Sequence, residues 1–200
     1  MGIYQHFIKN IGKLLYQSKS EKIISDRSEL FRLEVTKTHR AKWGDSWYRA
    51  GVVVVDEEGR FLLVEERRRR INGVWHDVEG IWNIASGSCE EDETFIAAAH
   101  REAHEELGRG VKLKGILAIK HGKHNDDPCL LIVFLADLTD ETLEFDHKEI
   151  KSQRRFSENE IYQLASQDKL RSKDLMFQVV ENYNKGFILP LEIINEYQAP

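Results

Sequence analysis

Residues 87–108 read GSCEEDETFIAAAHREAHEELG, a helix-length segment closed by a glycine at each end. Its charge pattern constrains the chain more than any other stretch. Asp92 and Thr94 are N-cap candidates, the interior is rich in helix formers and Gly108 is a stop, so a helix is expected over about 93–107. At about 100° per residue, Ile96, Ala99, Ala103 and Leu107 share one stripe, and Glu102, Glu105 and Glu106 cluster roughly a third of a turn away. Like charges at these spacings repel by a few tenths of a kcal/mol per pair, which disfavours the cluster on an isolated helix. The cluster makes sense if the carboxylates converge on a hard divalent cation whose charge removes the repulsion. The alternative is a solvated acidic face.

The surrounding sequence supplies strands. YRAGVVVVDEEGRFLLVEERR predicts two strands, about 48–56 and 60–66, joined as a hairpin by a turn at Glu57, Glu58 and Gly59. Residues 67–80 read as a loop, and GIWNIAS as a short strand entering Gly87. VKLKGILAIKHG and PCLLIVFLADL read as core strands around the polar loop KHNDD. EIKSQRRF is a further strand candidate, Ser157 with Glu160 predicts a capping box, and a second helix is expected over about 172–184.

Two hundred residues, 41% hydrophobic and 32% charged with three prolines, suffice for one domain and a modest extension. A net charge of −5 and a pI near 5.9 argue against a general nucleic-acid or membrane binder. No run of about 18 apolar residues is present to span a bilayer. Residues 1–45 read as an extension whose start is an amphipathic helix rather than a signal-peptide core. Its face of Ile3, Phe7, Ile11 and Leu14 suits stability or self-association, for example as a homodimer. Gly2 is a poor acylation start because His6 stands where Ser or Thr is wanted. Cys89 and Cys129 are too few for a disulfide framework and suit a reducing cytoplasm.

Gly87, Glu93, Arg101, Glu102, Glu105, Glu106 and Gly108 fall at the spacing G-x5-E-x7-R-E-U-x-E-E-x-G-U, where U is aliphatic, and the segment resembles the Nudix hydrolase box. Ala103 suits the first aliphatic position, whereas Arg109 departs from the second and should weaken packing after the helix. WNIASG stands where the family often shows W-x-L-P-G-G, with Ala85 and Ser86 as departures. The resemblance covers roughly 46–185 and implies an α/β Nudix fold: a mixed β-sheet sandwiched between α-helices. The expected organisation is an N-terminal helical extension over 1–45 and a Nudix domain over 46–200 that includes C-terminal helices.

The implied function is hydrolysis of a phosphoanhydride bond in a nucleoside diphosphate linked to another moiety, with Mg²⁺ or Mn²⁺ as cofactor. The alternative is a Nudix-fold sensor or interaction module that binds nucleotide without cleaving it. By resemblance, Glu105 and Glu106 are the principal metal ligands, Glu102 is either a ligand or the base toward the attacking water, and Arg101 orients one of these carboxylates. Glu149 matches a distal acidic ligand, and the Ser86 backbone carbonyl is a further one. Glu93 either partners the centre or complements the helix dipole. Arg67, Trp82 and Gly87 are candidate substrate contacts. His121 and His124 are better read as exposed residues than as ligands of a hard cation.

Overall fold

The fold is given by a computed structural model that describes residues 42–43, 46–71, 74–90, 93–124 and 126–194. The expected N-terminal helix, Gly2 and the apolar face from Ile3 to Leu14 lie outside the described residues. The strands are β1 (Lys42–Trp43), β2 (Ser46–Val54), β3 (Phe61–Ile71), β4 (Val74–Asn83), β5 (Ala85–Ser88), β6 (Arg109–His124), β7 (Asp127–Thr142) and β8 (Ile150–Phe156). The helices are α1 (Phe95–Glu102), α2 (Glu158–Ser166) and α3 (Lys173–Asn184).

One sheet runs β1-β2-β7-β6, with β5 also on β2, and is mixed because β2 and β7 are parallel. A second, antiparallel sheet runs β4-β3-β8. Side-chain alternation divides the interior into two cores. Ala50, Val52 and Val54 of β2 pack with Ile132, Phe134 and Ala136 of β7 against Ala98, Ala99, Ala103 and Leu107 of the carboxylate helix. Val53, Leu131 and Val133 point the other way, into a core shared with Ile161 and Ala165 of α2 and Met176, Val179 and Val180 of α3. Strands covered on both faces read as unbroken apolar runs, which explains VVVV and LLIVFL. The expected sandwich of helix, mixed sheet and helix is therefore present.

Three local expectations are corrected. The turn after β2 forms, with Gly59 at φ 73° and its N–H donating to the Asp56 carbonyl at 3.0 Å. Its strands then part after a single Val55–Phe61 bridge and enter different sheets, so the expected hairpin is a corner. The 67–80 loop is instead the β3–β4 hairpin, in which Arg68 stands opposite Asp77 and Arg70 opposite Trp75. The polarity there marks strands extending beyond the core and held by the backbone ladder. KHNDD likewise shrinks to a tight connection, since β6 runs to His124 and β7 starts at Asp127, with Asp126 at φ 68°. The capping box at α2 forms as expected: the Ser157 N–H donates to Glu160 Oε2 at 2.9 Å, and the Glu160 N–H returns to Ser157 Oγ at 3.4 Å.

Candidate active site

Thr94 caps α1 by accepting the Ala97 N–H on Oγ1 at 3.1 Å. The helix then widens into a π turn over Ala103–Leu107, the segment that carries Glu105 and Glu106. A π turn changes the angular phase of residues after it and recurs at functional sites. Gly108 ends the helix at φ 62°, and a Cβ there would lie 2.5 Å from the Leu143 carbonyl oxygen, so both torsion and space require glycine. The carbonyls at the helix end are taken by the following segment. Leu143 N–H donates to Gly108 O, Asp146 N–H to Glu105 O, each at 2.7 Å, and Gln153 Nε2 to Glu106 O at 2.8 Å.

Arg101 organises the acids. Nε and Nη2 donate to the two oxygens of Glu93 at 2.9 Å each, and Nη1 donates to Glu102 Oε1 at 2.7 Å and Glu105 Oε2 at 2.9 Å. Nη2 also donates to the Ser88 carbonyl at 2.9 Å, which occupies all five guanidinium donors. Glu93 is thus the bidentate clamp on Arg101, and it also accepts the Glu90 N–H at 2.8 Å.

Glu102 is buried against Gly87, where an added Cβ would stand 1.9 Å from Glu102 Oε1 and 2.6 Å from Oε2. Here glycine is required by close approach. Gly87→Ala is expected to displace the carboxylate rather than the backbone, because the side-chain end moves more easily. The turnover rate should fall about 10²-fold with little change in melting temperature, as for a catalytic group misplaced by about 1 Å. Parallel kinetics and thermal melts check this, and an unchanged rate would show that the carboxylate position is irrelevant.

Burial pushes the Glu102 carboxyl from its ordinary 4.5 to about 7, against the opposing Arg101 charge and with a further push from Glu105. Glu106 is also pushed well up, by burial and by Glu102, although the Ser86 N–H donates to its Oε2 at 2.8 Å. Among the described residues no three His, Cys, Asp or Glu side chains are already gathered at metal-ligating distance. The donor set nonetheless suits a hard cation. Glu102, Glu105 and Glu106 are each fixed through one oxygen, by Arg101 or by the Ser86 N–H, while the second oxygen takes no donor from the described residues. Burial first, and then like-charge neighbours, raise the Glu102 and Glu106 carboxyls, and a divalent charge relieves the repulsion.

The other expected residues fall in different places. Glu149 is half-buried at the rim and raised by burial and by Asp146, with Arg68 opposing and Glu105 adding a push. Its carbonyl accepts the Arg67 N–H at 2.7 Å. Arg67 is exposed on β3. Ser86 contributes its N–H to Glu106, and its carbonyl lies 3.5 Å from Arg49 Nη2. Trp82 lies in the other core, edge-on to Phe156 at 4.7 Å, with its backbone paired to Lys169 and Arg171. That is a packing position. Arg109 replaces the expected apolar contact with a hydrogen bond, Nη2 to Thr139 O at 2.7 Å. Cys89 is buried with its thiol pushed up to about 12, chiefly by burial, so it is inert. His121 is exposed as expected.

Sequence reasoning missed Arg49 and Glu66. Arg49 belongs to a strand read only for its apolar run. Glu66 falls at the end of the expected second strand with no role assigned to it, yet it is buried and pairs with Arg171 at 2.8 Å. An acid on the inward phase of β3, two residues after Val64, was the available signal.

A family model described as NUDIX domain matches residues 46–178. The phosphatase NudJ of Escherichia coli K12 is 33% identical over 149 residues, covering 74% of this chain and 90% of that protein. A NUDIX hydrolase from Nitrosomonas europaea is 26% identical, with a TM-score of 0.61, over 76% of this chain and 97% of the other. A UDP-X diphosphatase shares the fold at a TM-score of 0.54 and 16% identity, over 94% of this chain and 83% of that one. The matched region takes in the carboxylate helix, the 143–149 loop that clasps its end and both cores, and the chain belongs to the Nudix family as a Nudix pyrophosphohydrolase.

Proposed function

We propose that this chain hydrolyses the phosphoanhydride bond of a nucleoside diphosphate linked to another group X, with Glu102 as the base and Mg²⁺ or Mn²⁺ as the cofactor. The observation that carries this reading is the set of three carboxylates, each held by one oxygen and offering the other, around a glycine cradle. Nudix hydrolases generally use divalent metal ions. The ion would be held by Glu105 and Glu106 with Glu149 and the Ser86 carbonyl, and when bound it neutralises phosphate oxygens and makes a nearby water more acidic. Water oxygen attacks phosphorus, its proton passes to Glu102, and the bridging P–O bond breaks with its electron pair leaving on the departing phosphate. Gly87 lets the Glu102 carboxylate lie flush with β5, and Arg101 fixes its orientation. Arg67, exposed at the end of the β3 core segment, would bind an outer phosphate of the substrate. Residues 1–45 are an extension outside this chemistry, and a reducing cytoplasm suits free Cys89 and Cys129.

The test is a phosphate-release screen over nucleotides, sugar nucleotides, dinucleotides and capped RNA with Mg²⁺ and Mn²⁺. Turnover of at least one class is expected, and exhaustive EDTA treatment should abolish it. Full activity after EDTA would end the metal reading. Tight nucleotide binding without turnover of any class would favour the sensor instead.

A further inference from the structure

Two arginines stand at the carboxylate centre, and they are employed very differently. Arg101 has every donor filled. Among the described residues Arg49 makes a single hydrogen bond, Nη2 to the Ser86 carbonyl, at the long limit of 3.5 Å. Its Nε is buried with no partner among the described residues. A guanidinium that served only to balance the acids would be expected to pair with one directly, as Arg101 does. Arg49 is instead half-buried beside the acids, close enough for its charge to bear on Glu102, Glu106 and Cys129, with its donor fork largely unfilled.

The register places a second cation on the same face. Ser88, Arg49, Leu131 and Lys120 form one lateral row across β5, β2, β7 and β6. In-register neighbours project to the same side of a sheet, and two strand spacings put the Arg49 and Lys120 backbones about 10 Å apart. The next row on that face, the one on which Leu131 packs with α2 and α3, holds Trp47, Cys129 and Gly122. A Cβ added at Gly122 would meet nothing within 4 Å, so the surface there is open. Lys120 is exposed, and both it and Arg49 act on the half-buried Cys129 thiol between them.

We propose that Arg49 binds the phosphate of the substrate diphosphate that is not attacked, and that Lys120 binds a further phosphate carried by X, so that the preferred substrates are nucleotides whose X group is itself phosphorylated. This rests on the catalytic reading for the location of the diphosphate. The fork of Arg49 matches two phosphate oxygens, whereas Lys120 supplies a point charge at the outer end of the row.

The test measures binding by calorimetry in excess Mg²⁺, using methylenediphosphonate and its three-phosphonate homologue, neither of which is hydrolysed. Arg49→Ala is expected to weaken both probes roughly tenfold to hundredfold, and Arg49→Lys to recover only part of that loss. Lys120→Ala should weaken the triphosphonate about fivefold to tenfold and the diphosphonate less than about twofold, as loss of one point charge implies. In the wild type the diphosphonate should also slow alkylation of Cys129 by iodoacetamide, and in Arg49→Ala it should not. Thermal melts, with Arg49→Lys as the conservative variant, separate lost binding from lost folding. Wild-type affinity of Arg49→Ala for both probes overturns the Arg49 assignment, and equal loss of both probes in Lys120→Ala overturns the substrate preference. A wild type that binds both probes in this pattern but turns over no nucleotide would sink catalysis and the substrate preference with it, and leave only the two phosphate-binding assignments standing.

Discussion

Glu102→Gln is expected to lower kcat by roughly 10²- to 10⁴-fold while leaving the Mg²⁺ dependence of the rate nearly unchanged, because a general base contributes about that much. Glu105→Gln and Glu106→Gln should instead raise the Mg²⁺ concentration needed and lower the rate together. The same Glu102 variant carries a stability signature of opposite sign. The Glu102 carboxyl titrates near 7 in the folded protein, against an ordinary 4.5. Its contribution to stability is therefore fully present below about pH 4.5 and is lost as pH rises through about 7. Without divalent ion, Glu102→Gln should melt close to wild type near pH 4.5 and be more stable by about 2 kcal/mol near pH 8, the size that such a shift allows for a coupled, buried acid. Saturating Mg²⁺ should shrink or reverse the difference by stabilising the wild-type carboxylates. Melts at the two pH values with and without EDTA, together with rate against Mg²⁺, provide the check. A variant with the wild-type rate at every Mg²⁺ level would make the helix an acidic surface. A strong rise in the Mg²⁺ requirement would make Glu102 a ligand rather than the base.

The carboxylate helix was legible because its signals are local. Caps, stripe and charge spacing all lie within 22 residues, GSCEEDETFIAAAHREAHEELG, and each follows from helix geometry. The π turn was not legible, since no propensity separates it from an α turn, and it is fixed by the clasp of Leu143, Asp146 and Gln153 on the helix end. The strands around VVVV and LLIVFL were legible for a related reason: burial on both faces removes polar residues. The same rule misled at 67–80, where β3 and β4 run beyond the core and carry Arg67, His76, Asp77 and Glu79 exposed. Polarity there reported solvent, not the absence of a ladder.

The missed site residues share one property: their roles are set by pairing between distant strands. Arg49 reaches the acids because β5 folds back onto β2 with Arg49 opposite Ser88. Glu66 and Arg171 meet because the segment between α2 and α3 runs along the edge of β4 at Trp82. The packing of Trp82 is set in the same way, since only α2 and α3 decide which face of β4 is covered. Sequence spacing along one element says which residues share a face, and register between elements says which face meets which.

Arg101→Ala should be the most damaging single change at the centre, and its effect should depend on divalent ion. Arg101 is the common partner of Glu93, Glu102 and Glu105 and of the Ser88 carbonyl. Its removal leaves Glu93 and Glu102, both largely buried, without their cation, and leaves the Ser88 carbonyl without its donor. Breaking a buried ion pair from one side costs about 3–5 kcal/mol, and with Arg101 and Glu93 partly solvated about 2–4 kcal/mol is expected here. Arg101→Lys should recover little, because one ammonium on a flexible stem cannot span acceptors on two sides of the guanidinium plane. Activity should fall about 10²- to 10³-fold in both variants as the Glu102 carboxylate loses its orientation. Divalent ion replaces part of the missing charge at Glu102 and Glu105 but none at Glu93. Mg²⁺ should therefore restore part of the lost melting temperature and leave the rest. Melting temperature and kcat of both variants, each measured in EDTA and in saturating Mg²⁺, decide the matter. An Arg101→Ala protein that melts and turns over within twofold of wild type in both conditions would show that the acids are positioned by something other than the guanidinium.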